Sequence, residues 1–114
     1  MGTVDPTEAI RLKAGEYSGV DKGAACTQSS FKVKNRGFLY IGEQGGRYKA
    51  MFKLDLSMPE AVELAGKEPQ NYEVGNTGWV TARFTAEEPI PKNRWEKWLE
   101  ESYTISLTGK KRKP

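Results

Sequence analysis

Between residues 31 and 54 the chain alternates basic and apolar side chains with a period of two. Lys32, Lys34 and Arg36 fall on one side of an extended segment, with Phe31 and Val33 on the other. Arg47, Lys49 and Lys53 separate in the same way from Tyr48, Ala50, Phe52 and Leu54. That pattern belongs to a half-buried antiparallel sheet with one basic face. Six cations on such a face attract phosphate, and binding there releases counterions and weakens steeply with salt. Tyr40 or Phe38 on the same face can stack on an unpaired base. The plain structural alternative is a solvated outer face that keeps the sheet soluble.

A second set of residues outlines a ligand groove. Trp79 and Arg83 share one side of a strand near 78–84, and Tyr72 and Tyr103 add hydroxyl groups beside it. A groove between that strand and the last helix would suit an anionic ligand or an acidic peptide. Trp95 and Trp98 stand at helical spacing, where aromatic residues serve as core.

Catalytic chemistry has little to work with. The chain has no histidine and one cysteine, Cys26. Ser-His-Asp and Cys-His machinery and the common zinc ligand sets are thereby excluded, and no intrachain disulfide can form. Cys26 lacks an activating base and reads as a loop or part-buried thiol. Most acids lie on expected helix surfaces rather than in pairs. No enzyme, cofactor or metal is expected.

The formal charge of +3 comes from 18 basic and 15 acidic residues. Lys110, Lys111, Arg112 and Lys113 supply four of the basic ones, leaving 14 against 15 in the body. A nucleic-acid footprint must therefore come from clustering, not from bulk charge. No run approaches the roughly 18 apolar residues of a membrane helix, and the N-terminus lacks a signal-peptide core.

The elements that must position these residues are legible in outline. Asp5-Pro6-Thr7-Glu8 opens a helix carrying Ile10, Ala14 and Tyr17 on one face, and Ser18-Gly19 ends it. Residues 20–29 read as an irregular connection. Strands are expected near 30–35, 38–43 and 47–54, with turns at Asn35-Arg36-Gly37 and Gln44-Gly45-Gly46. Ser57-Met58-Pro59-Glu60 forms a second capping box for a short helix that bears Met58, Ala61, Val62 and Ala65 and closes at Gly66. Short strands follow at 72–74 and 78–84. The last helix runs from about 92 to 106, with Trp95, Trp98, Leu99 and Ser102 or Tyr103 on one face.

Several segments in this order resemble the MmcQ/YjbR-like family of small bacterial proteins. They are Gly19-Val20, Phe31-Lys32-Val33, Gly37-Phe38-Leu39-Tyr40-Ile41, Pro69-Gln70-Asn71-Tyr72, Gly78-Trp79-Val80 and Trp98-Leu99-Glu100-Glu101-Ser102-Tyr103. Ser102-Tyr103 near the end of the last helix is the most telling. The chain departs from the family pattern at Ser18, where a proline is usual, and at Asn35-Arg36-Gly37, which replaces a Gly-Lys turn. The resemblance implies a YjbR-like α+β sandwich related to secretion-chaperone-like folds. It also implies a predicted DNA-binding role through a double-wing arrangement, with no catalytic residues to transfer.

The sequence thus predicts a single α+β domain over residues 1–109 and a basic, disordered tail over 110–114. Its architecture is a two-layer sandwich with an antiparallel sheet of about five strands, in the order α-βββ-α-ββ-α. The functional expectation is a noncatalytic, monomeric, cytoplasmic protein that binds DNA nonspecifically. The residues involved would be Lys32, Lys34, Arg36, Tyr40, Arg47, Lys49 and Lys53. The alternative is a protein- or peptide-binding module that uses the exposed sheet or the groove of Tyr72, Trp79, Arg83 and Tyr103.

Overall fold

A computed structural model describes residues 5–25, 28–75 and 77–109. Cys26 and the basic run at Lys110 to Lys113 lie outside the described residues. Three helices, α1 (Glu8–Glu16), α2 (Met58–Lys67) and α3 (Lys92–Thr108), pack on one side of a six-stranded antiparallel sheet. The strands are β1 (Val20–Ala25), β2 (Gln28–Val33), β3 (Arg36–Gln44), β4 (Arg47–Lys53), β5 (Tyr72–Val74) and β6 (Trp79–Phe84). Their spatial order is β1-β2-β3-β4-β6-β5, so β1 and β5 are the edges. None of the described helices is long and apolar enough to cross a membrane.

Period-two alternation builds the central strands. Phe31 and Val33 of β2, Ile41 of β3, Ala50 and Phe52 of β4, and Val80, Ala82 and Phe84 of β6 are buried under the helices. From the helix side Ile10, Ala14, Ala61, Trp95, Trp98 and Leu99 complete the core. Trp98 meets Phe52 and Tyr72 edge-on, at 5.8 and 6.0 Å between ring centroids.

The expected five strands become six because residues 20–25 form β1 rather than a loose connection. This edge strand, Val-Asp-Lys-Gly-Ala-Ala, carries no apolar alternation and owes its place to pairing with β2. The first turn also falls earlier than expected. Lys34 and Asn35 both adopt positive φ, 52° and 66°, and make a two-residue hairpin loop. Arg36 and Gly37 then belong to β3.

A β-bulge follows. Phe31 pairs with Leu39 and Lys32 with Gly37, so Phe38 is the extra residue. The bulge turns Phe38 and Leu39 both into the core, each with no exposed surface. It also brings the β3–β4 ladder to an end at Leu39 and Phe52. There the fully buried Ser102 hydroxyl of α3 donates to the Phe38 carbonyl (2.6 Å) and accepts from the Lys53 N–H (2.8 Å). One helix side chain thus joins two strands where their own bonding stops. Tyr103, the next residue, stacks on Tyr17 at 4.3 Å and donates to the Ser18 carbonyl.

The expected capping boxes take other forms. Asp5 Oδ1 accepts from the N–H and hydroxyl of Thr7, which is the residue before α1. At α2 the Ser57 side chain makes no cap bond. The Glu101 carboxylate of α3 accepts from the Asp55 and Ser57 N–H groups instead. Glu60 turns to α3, accepting from Trp98 Nε1 (3.0 Å) and pairing with Lys97 (2.9 Å). Of the apolar residues α2 carries, Ala61 is fully buried and Val62 is 54% exposed.

Candidate functional site

With all three helices on one side, the other face of the sheet is uncovered. Directly opposed residues of paired strands share a face, so the register defines its rows. Lys53 of β4 stands beside Trp79 of β6. The next row holds Ser30, Tyr40, Met51 and Thr81, and the one after it Gln28, Gly42, Lys49 and Arg83. Tyr40, Met51, Trp79 and Thr81 are each half-buried. This is a partly apolar surface set among charges.

Two aromatic rings form its centre. Tyr40 and Trp79 lie 5.4 Å apart between centroids, inclined at 53°. The Tyr40 ring is laid over Gly37, where a Cβ would collide with its hydroxyl and ring edge. Lys53 Nζ sits 5.9 Å from the Trp79 ring centroid, at the outer reach of a cation–π contact.

The six expected cations divide. Lys32, Lys49 and Lys53 do lie on the open face, and among the described residues Lys32 and Lys49 make no ion pair. Lys34 does not, because it occupies the hairpin loop. Arg36 is pulled to the end of α3, where Nη1 donates to the Ser106 carbonyl at 3.2 Å. Arg47 is tied to the Gln70 carbonyl (2.9 Å) and Asn71 Oδ1 (3.4 Å). Of the two rings expected on this face, Tyr40 is there and Phe38 is in the core.

The second expected constellation does not assemble. Trp79 and Arg83 lie on the open face, Arg83 paired with Glu73 at 3.0 Å. Tyr72 is buried against Trp98 on the helix side and receives a hydrogen bond from Arg94 Nη1 at 2.7 Å. Tyr103 of α3 packs between Tyr17 and Phe38, also on the helix side of the sheet. The sheet itself separates the two pairs, so no single groove contains all four.

Two clefts flank the aromatic pair. One, of about 370 Å³, lies between Arg36, Gly37, Lys53 and Trp79, with Ile105 and Gly109 of the α3 end behind it. The other, of about 860 Å³ and open to solvent, is lined by Gln28, Gly42, Glu43, Arg47, Lys49 and Arg83.

The same helices-on-one-face architecture is found in a solved structure. A crystal structure of Deinococcus radiodurans protein DR2400, a DUF419 domain, superposes with a TM-score of 0.70. It covers 92% of this chain and 83% of its own, at 21% sequence identity. The chain shares its fold with a DUF419 domain. DUF419 is the YjbR/MmcQ-like family, so the fold expected from the sequence is the one observed. No family model matches the chain, and no curated protein matches it.

The residue pattern alone does not single out Met51, Thr81, Gln28 or the role of Gly37. Met51 and Thr81 were within reach, since both fall in register with Tyr40 once the hairpins are placed. Gly37 carries no side-chain signal and becomes visible only through the ring that covers it.

Proposed function

We propose that this chain is a noncatalytic member of the MmcQ/YjbR-like group that binds single-stranded DNA, without sequence preference, on the open face of its sheet. One observation carries this reading: Tyr40 and Trp79 stand together, partly exposed, on an uncovered face with Lys53 against the indole and Lys49 farther along the same strand. Unpaired bases stack on such rings whatever their identity, while nearby cations hold the backbone. Backbone contacts alone would not favour a single strand over a duplex. Exposed rings do, because a base inside a duplex cannot reach them. The charge on this face belongs to the cluster and not to the whole chain, so the number of phosphates held is small. We place the protein as a monomer in the bacterial cytoplasm.

Fluorescence anisotropy with labelled single- and double-stranded DNA, at about 50 and about 200 mM salt, tests this. The expected result is tighter binding of the single strand. At about 0.7 per phosphate in the salt slope, roughly three contacts would cost about tenfold to 30-fold between the two salts. Trp79→Ala should cost a further fivefold to about 150-fold, corresponding to about 1–3 kcal/mol per stacked base. Equal affinity for duplex, or an unchanged Trp79→Ala variant, would contradict the reading.

A further inference from the structure

We infer that the bound strand lies along β4, from the Arg36–Lys53 cleft to the Lys49–Arg83 cleft, and that the site holds about four nucleotides. This rests on the single-strand reading above and adds its path, its length and the lysines that matter. The two clefts lie toward opposite ends of the open face; Arg36 and Lys53 line one, and Arg47, Lys49 and Arg83 outnumber the one carboxylate, Glu43, in the other. The row between them, Ser30, Tyr40, Met51 and Thr81, carries no charge until it reaches Glu73 on the β5 edge. Phosphates therefore have favourable places at both ends and bases have an aromatic and apolar surface in the middle.

A path across the strands meets the opposite conditions. On the β1 edge Asp21 stands directly across from Lys32 and offsets it. On the β5 edge Glu73 holds Arg83 in an ion pair. Both flanks of the face thus present a carboxylate, which repels phosphate and leaves the direction along the strands open. Lys32, basic and exposed as it is, falls off this path.

The length follows from strand geometry. Lys49 and Lys53 are four residues apart on one strand, which at about 3.3 Å per residue is about 13 Å. At the ~3.4 Å spacing of stacked nucleotides in one strand, that distance takes about four. Such a footprint sits at the small end of the roughly 4–16 nucleotides that single-strand sites on small β folds occupy.

Calorimetric titration with oligothymidylates of two, four, six and eight nucleotides at about 50 mM salt tests the path, using wild type, Lys49→Glu, Lys53→Glu and Lys32→Glu. Affinity should climb steeply to four nucleotides and then rise only with the number of ways a longer chain can sit. Lys49→Glu and Lys53→Glu should each weaken binding about tenfold and lower the salt slope by about 0.7 or more per lost contact. Lys53→Gln, which keeps the packing on Trp79, should retain part of the loss. Lys32→Glu should change affinity less than about twofold. A Lys32→Glu loss equal to that of Lys49→Glu, or affinity still climbing steeply at eight nucleotides, would overturn the path while leaving the single-strand reading in place. Failure of every length to bind would bring down both.

Discussion

A methyl group at Gly37 would collide with the Tyr40 hydroxyl and ring edge, so this glycine is what lets the tyrosine lie down beside Trp79. Gly37→Ala should displace this half-buried ring of the open face rather than break the core. We expect a stability loss of about 1 kcal/mol or less by urea unfolding, together with a severalfold loss of single-strand affinity. A loss of stability without any loss of affinity would separate Tyr40 from the site. Ser102 is the opposite case. Its hydroxyl is fully buried and serves both the Phe38 carbonyl and the Lys53 N–H. Ser102→Ala leaves two buried backbone groups unpaired, at about 1–3 kcal/mol each before relaxation. Urea unfolding should show a loss of about 2–4 kcal/mol, and a loss under about 0.5 kcal/mol would mean that water or the strands themselves replace the bond. Tyr17 belongs with the packing residues. Burial, then the charges of Glu100 and Glu96, push its phenol up to about 12, so it stays neutral and stacked across the physiological range.

Helix α2 is short, and α3 secures both its start and its first turn. Glu101 supplies the N-terminal cap, and Glu60 reaches back to Trp98, Lys97 and Arg94. Partial burial works to raise the Glu60 carboxyl. The hydrogen bonds from Trp98 and Lys97 and the charges of Lys97 and Arg94 outweigh it and hold the group below the usual glutamate value. A depressed carboxylate stabilises the fold fully above its unfolded value, and that contribution is lost as pH falls through the folded one. The pair is partly exposed and screened, so Glu60→Gln should cost only about 0.5–1 kcal/mol at neutral pH. The gap to wild type should close as pH drops below 4.5, the value of an unperturbed glutamate, and urea unfolding across that range measures it. A gap that persists in acid would mean that shape, not charge, is what Glu60 provides. The sequence shows both capping motifs but cannot show that a distant carboxylate does the capping. Strand β1 was illegible for a related reason, since its pairing with β2 and not its own pattern makes it a strand. The Lys34–Asn35 loop was hidden because positive φ at a lysine is uncommon, and the glycine two residues on is the more obvious candidate. By contrast β4, β6 and α3 were legible from periodicity, because each buries one face and exposes the other.

At the scale of the whole molecule, three helices gathered on one face oblige the sheet to show its other face. The alternation from Phe31 to Leu54 foretold that arrangement and its basic character, but assigned it too many cations. Half of the six are drawn from its centre: Lys34 to a turn, Arg36 to the end of α3 and Arg47 to the loop before β5, although Arg36 and Arg47 still border the two end clefts. What remains is a smaller positive centre around two rings, with carboxylates at both edges, and it is that geometry which points along the strands. The chain offers a direct test of it, because its three tryptophans report on different places. Trp79 lies on the open face, whereas Trp95 and Trp98 are buried in the core and Trp98 Nε1 is bonded to Glu60. The decisive measurement is the movement of the three indole N–H signals in a proton–nitrogen NMR spectrum as oligothymidylate is added. The Trp79 signal should shift progressively and saturably while those of Trp95 and Trp98 stay in place. A stationary Trp79 signal, with or without movement of the other two, would contradict the assignment of the open face as the binding surface.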